Sequence, residues 1–123
     1  MNHIRLADAP EEPASSEHFT LPASRHDLIA VDEPRSSALL VRFGPGGRTH
    51  WHRHPNGQYL HVIEGAGRVQ SRGGPVVELR PGDTVYAEPG EEHWHGAAAA
   101  MPVAHRAFSF GATEWAGPVE EEA

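Results

Sequence analysis

The chain has 123 residues, a formal charge of −7, 13 glycines, 11 prolines and no cysteine. A single domain of this length buries about two-thirds of its unfolded surface; disulfides and zinc–thiolate centres are excluded, and there is no clustered positive face for nucleic acid. The N-terminus lacks a basic-then-apolar leader and no run of about 18 apolar residues could cross a membrane, so a cytoplasmic, non-membrane protein is expected.

Residues 1–25 are rich in Pro, Ser, Glu and Ala and predict an N-terminal arm. The arm carries one short edge strand near 19–21, a segment available for exchange between subunits. Strand-like runs then follow at 26–31, 37–43, 50–54, 58–64, 67–71, 75–79, 84–87, 92–96 and 103–110. The breaks between them carry turn chemistry, as in Pro55-Asn56-Gly57, Pro81-Gly82-Asp83 and Pro89-Gly90. Short strands at this spacing predict an all-β sandwich or jelly-roll barrel over residues 26–112. Residues 113–123 form an acidic tail, either loose and solvated or folded over a neighbouring surface through Trp115.

Seven of the ten histidines fall between residues 50 and 105. His52 and His54 alternate on one strand, which puts both on the same face about 7 Å apart, where their rings can converge on one ion. The Pro55-Asn56-Gly57 turn could return the Gln58 amide oxygen to the same point, and His93 from a distant strand would close the set. Three imidazoles and one amide oxygen suit Mn, Fe, Co, Ni or Zn and leave room for water or substrate. By alternation His95 shares the face of His93, whereas Trp51 and Trp94 point outward. His50 shares the face of His52, at the barrel rim. Leu39, Val41, Leu60, Val62, Met101, Ala107 and Ser109 are candidates for the pocket wall, and His3, His18, His26 and His61 read as surface or core residues.

Two segments carry a known pattern: Gly46-x5-His52-x-His54-x3-Gln58-x6-Gly65 and Gly82-x5-Glu88-x-Gly90-x2-His93-x3-Ala97. They resemble the two motifs of the cupin superfamily, whose fold is a jelly-roll β-barrel with a metal in its mouth. Gln58 stands where that family usually has Glu, Glu88 where it has Pro, and Ala97 where it has Asn. His93-Trp94-His95-Gly96-Ala97-Ala98 and Met101-Pro102-Val103-Ala104-His105 narrow the likeness. Both are similar to the small bacterial manganese cupins that include hydroxynitrile lyases, over about residues 41–110. That resemblance implies one divalent ion per subunit, Mn first, held by His52, His54, Gln58 and His93. It also implies His95 and His105 as acid/base groups.

The expected function is a metal-dependent enzyme acting on a small hydroxyl or carbonyl compound, with cyanohydrin cleavage as its sharpest form. The alternatives are a dioxygenase using Fe or Mn, a non-enzymatic small-ligand binder, and a barrel with a vestigial site. Neutral Gln58 in place of a carboxylate would leave the ion less neutralised and more polarising. Exposed edge strands favour a homodimer, with a tetramer as runner-up.

Overall fold

The computed structural model describes residues 1–120, so Glu121 and Glu122, expected to be solvated, lie outside the described residues. A three-residue 3-10 turn (Leu6–Asp8) precedes the strands. In chain order these are β1 (Glu11–Pro13), β2 (Phe19–Thr20), β3 (Ala23–Val31), β4 (Ser36–Phe43), β5 (Arg48–Thr49), β6 (His52–Arg53) and β7 (Gln58–Gly65). They continue with β8 (Gly67–Ser71), β9 (Val76–Leu79), β10 (Thr84–Ala87), β11 (His93–Ala97), β12 (Val103–Phe110) and β13 (Glu114–Trp115). One sheet runs β1-β3-β4-β12-β7-β10; the other runs β13-β6-β11-β5-β2, with β8 joining β11 to β9. All pairings are antiparallel. This is the jelly roll that the turn spacing predicted. No helix among the described residues is long and apolar enough to cross a membrane.

Alternation sorts each long strand into an inner and an outer row. On β12 the inner row is Val103, His105, Ala107 and Ser109, set against Phe43, Val41, Leu39 and Ser37 of β4. Across β12 on the other side, Gln58, Leu60 and Val62 of β7 meet Ser109, Ala107 and His105. A register shift between Ala104 and His105 leaves Ile63 of β7 without a partner. Such a bulge re-aims side chains within a ladder. Val41, Phe43, Val62, Leu79, Ala97 and Val103 close one end of the barrel as a buried apolar floor. The Phe43 ring lies against both His95 and His105, so the imidazoles stand directly on that floor.

The strand expected over 50–54 shrinks to β6 (His52–Arg53), preceded by a separate β5 (Arg48–Thr49), because the backbone between them is claimed from elsewhere. The His50 N–H donates to the His18 carbonyl at 2.8 Å. Trp51 donates to the Gly117 carbonyl at 3.0 Å and accepts from the Ala116 N–H at 2.8 Å. Segments 18–19 and 113–117 are thereby drawn to the mouth of the barrel.

Close approach of β11 to β5 depends on Gly96. A Cβ there would lie 2.3 Å from the Gly47 carbonyl oxygen and 2.6 Å from the Arg48 Cα, both backbone atoms. Gly96→Ala is therefore expected to cost about 1–3 kcal/mol through overpacking. Urea denaturation checks this, and an unchanged midpoint would show that the two strands can part freely.

Candidate metal centre

Three strands bring the histidines together. His52 on β6 pairs directly with His93 on β11, placing their ring centroids 4.5 Å apart. His54, just beyond β6, lies 5.0 Å from His52 and 5.7 Å from His93. His95, two residues along β11, lies 5.2 Å from His52 and 5.9 Å from His93. His105 on β12 stands 4.7 Å behind His95. All five side chains and Gln58 are buried. Ring nitrogens of His52, His93 and His95 all lie within 4.8 Å of one another.

Hydrogen bonds settle which nitrogens face the centre. His52 Nδ1 donates to the His50 carbonyl and His93 Nδ1 to the Glu91 carbonyl, each at 2.9 Å. A neutral imidazole has one N–H, so both rings are left with a lone pair at Nε2. The His93 Nε2 lone pair meets Gln58 Oε1 at 2.9 Å, and the Gln58 amide nitrogen is spent on Ser109 Oγ at 3.0 Å. Two acceptors at that separation repel unless a cation joins them. Ligand atoms on adjacent corners of an octahedron, at bonds of about 2.1 Å, stand roughly 3 Å apart. His54 Nε2 is buried with no hydrogen-bond partner among the described residues, while its Nδ1 lies 3.3 Å from Thr113 Oγ1. The donor set present therefore fits a divalent ion bound by nitrogen and oxygen.

Burial keeps these rings neutral. Desolvation, reinforced by neighbouring imidazoles, holds His52 and His95 well below the ordinary 6.5. The same causes bring His54 down to about 4. Burial alone draws His105 to about 4 and also lowers His93. Neutral imidazole is the form that binds a metal.

The structure brings His52, His54, Gln58, His93 and His95 together, and several other residues stand away from the places the sequence suggested. His95, expected beside the metal set, has a ring nitrogen within it. His105, expected on the pocket wall, lies behind His95 instead, with Nε2 at 3.0 Å from His95 Nδ1. His50 contributes its carbonyl while its side chain is only half-buried. Among the wall candidates, Leu39, Val41, Ala107 and Ser109 line a cavity of about 90 Å³ at the site. Met101 is exposed on a turn, Val62 belongs to the apolar floor, and Leu60 is buried off the cavity lining.

Trp51 and Trp94 point outward as alternation required. The Arg72 guanidinium covers Trp51 at 4.4 Å, and those of Arg48 and Arg68 lie over Trp94 at 5.0 and 5.5 Å. Trp94 also donates to Gln70 Oε1 at 2.8 Å. His26 and His61 bond the Ala9 carbonyl and Thr84 Oγ1 and play no part in the site. His18, expected to be a surface or core residue, instead stacks on Trp115 at the mouth. Thr49, Phe19, Thr113 and Trp115 also line the cavity. Of these Phe19 and Trp115 left a trace in the sequence, one in the short strand expected near 19–21 and the other as a lone aromatic in a polar tail.

Residues 39–104 match the family described as Cupin domain. Over 79 residues the chain is 48% identical to an (R)-mandelonitrile lyase from Granulicella tundricola, a match covering 64% of this chain and 60% of that protein. The chain thus spans less than two-thirds of the length of that curated relative. Among solved structures, a cupin-like protein from Thermotoga maritima is 40% identical with a TM-score of 0.83, covering 89% of this chain and 86% of that one. An acetylacetone dioxygenase from Acinetobacter johnsonii shares the fold at 13% identity and a TM-score of 0.79, covering 94% of this chain and 77% of that one.

Proposed function

The chain belongs to the cupin family, and on that premise we propose that it is a metal-dependent lyase that cleaves or forms cyanohydrins of small carbonyl compounds. The observation that carries the reading is the 2.9 Å meeting of the His93 Nε2 lone pair with Gln58 Oε1, beside a cavity walled by His95. The 48% identity to a mandelonitrile lyase supports the reaction type. In this reading His52, His54, Gln58 and His93 hold one divalent ion, Mn²⁺ by family likeness. His54 rather than His95 is taken as the third imidazole by family likeness, its ring lying against Gln58 and its buried Nε2 making no hydrogen bond of ordinary geometry. A bound ion would supply Lewis acidity at a hydroxyl or carbonyl oxygen.

The protein's own groups do the proton work. His95 takes the substrate hydroxyl proton at the ring nitrogen opposite His105, a role that requires the tautomer in which its Nδ1–H donates to His105 Nε2, 3.0 Å away. As that O–H electron pair becomes the second bond of a carbonyl, the carbon–carbon bond to the nitrile breaks and its pair leaves with cyanide. His95 then returns the proton, giving hydrogen cyanide and the aldehyde or ketone. Leu39, Val41 and Ala107 keep water from the reacting carbon.

Elemental analysis of protein purified without chelators is expected to give about one divalent ion per chain. The same protein should cleave mandelonitrile or 2-hydroxy-2-methylpropanenitrile, lose that activity on chelation and regain it on metal return. A metal-free protein, or cleavage indifferent to chelation, sinks the reading.

A further inference from the structure

The histidine cluster and the roof over it come from different parts of the chain. His52, His54, Gln58, His93 and His95 lie inside the span 39–104 that matches the family. Phe19, Thr113 and Trp115 line the same cavity from outside that span. Two short strands deliver the aromatic pair: β2 sets Phe19 against Thr49 of β5, and β13 sets Trp115 against His52 of β6. The roof is therefore fixed to the strands that carry the site by backbone hydrogen bonds.

Trp115 is its largest piece. The indole stacks on His18 at 4.1 Å with the rings 1° from parallel. It lies 4.7 Å from the His52 ring and 6.1 Å from Phe19. Beside it, Thr113 Oγ1 reaches His54 Nδ1. The space left beneath is about 90 Å³, whereas an apolar cavity of about 150 Å³ holds benzene. An aryl group bound at this site must push against the indole on its stack with His18 or project through the mouth. A two- or three-carbon compound need not.

We propose that Trp115, held in place by His18 and Phe19, is the specificity-determining wall of this site and restricts it to short aliphatic hydroxyl and carbonyl compounds in preference to aryl ones. The reaction named here rests on the lyase reading, but the size limit does not. Trp115 is 36% exposed and is not among the residues of the apolar floor, so its removal opens the cavity to solvent without disturbing that floor.

Two measurements separate the claims. In the first, kcat/KM for 2-hydroxy-2-methylpropanenitrile and for mandelonitrile is compared in the wild type, W115A and W115F. In the second, imidazole and 4-phenylimidazole are titrated into the cobalt-loaded proteins and followed by visible absorption. The wild type should favour the smaller member of each pair. W115A should shift both ratios toward the larger member by about tenfold, and W115F should stay near the wild type. W115L replaces W115A if the alanine variant fails to retain metal. A probe ratio that moves by less than threefold overturns the wall, whatever happens to catalysis. If neither nitrile is cleaved yet the probe ratio moves as expected, the wall stands and the lyase reading falls.

Discussion

His95→Gln is expected to lower kcat/KM for cyanohydrin cleavage by about 10²–10⁴-fold while the metal content stays at the wild-type level. That range corresponds to roughly 3–5 kcal/mol of transition-state stabilisation. The expectation follows from position: His95 lines the cavity, and its Nδ1 is tied at 3.0 Å to His105 Nε2. A ring anchored at one nitrogen presents the other in a fixed direction, which suits proton transfer to a substrate. His105 sits one ring further back, so His105→Gln should act through His95 and cost less, about 10–100-fold. Steady-state kinetics with elemental analysis of each variant checks both. Loss of the metal in His95→Gln would instead make His95 a ligand, which the grouping of its ring nitrogen with those of His52 and His93 permits.

The metal-free protein should be strongly acid-labile. In the unfolded chain these imidazoles titrate near 6.5, whereas in the folded state His54 and His105 titrate at about 4. Above pH 6.5 both states are neutral at these rings and stability does not depend on them. As pH falls through 6.5 the unfolded chain takes up protons that the folded chain refuses. Folding free energy is then lost at about 1.4 kcal/mol per pH unit for each ring. The loss is complete only once pH has passed through the folded value near 4, at about 3 kcal/mol apiece. Because domains of this kind are stable by only about 5–15 kcal/mol, the chelated protein should unfold at an acid pH between 6.5 and 4. Urea melts at pH 7, 5.5 and 4.5 test this, and a midpoint that does not fall with pH counts against buried neutral imidazoles. The metal-loaded protein should resist to lower pH, since an ion bound only by the folded state adds its binding free energy to stability.

Much of this was legible from spacing. The turn residues mark most of the strand boundaries from β4 to β12, and the His-x-His pair, Gln58 and His93 converge because strand alternation and one tight turn leave them few other places to go. What escaped was whatever depends on partners far along the chain. The break between β5 and β6 is imposed by backbone bonds to residues 18, 116 and 117, none of which announces itself by periodicity. His105 belongs to the inner row of β12, as expected. Its place behind His95 is a matter of depth in the barrel, which a one-dimensional pattern does not carry. Met101 is a candidate wall residue by sequence, yet it lies exposed in the loop between β11 and β12. The short strand near 19–21 and a tail folding over through Trp115 were both legible, but β2 and β13 are too short to show alternation, so their meeting as a roof over the site was not.

The three tryptophans stand in three different settings, with an optical consequence. Trp94 is almost wholly buried between guanidinium groups, and Trp51 is buried under Arg72. Only Trp115 combines contact with solvent and a place beside a histidine of the cluster. Emission from the first two should follow the integrity of the second sheet, while emission from Trp115 follows events at the mouth. The chain thus carries its own fluorophore for ligand arrival, with the other two as an internal standard for folding.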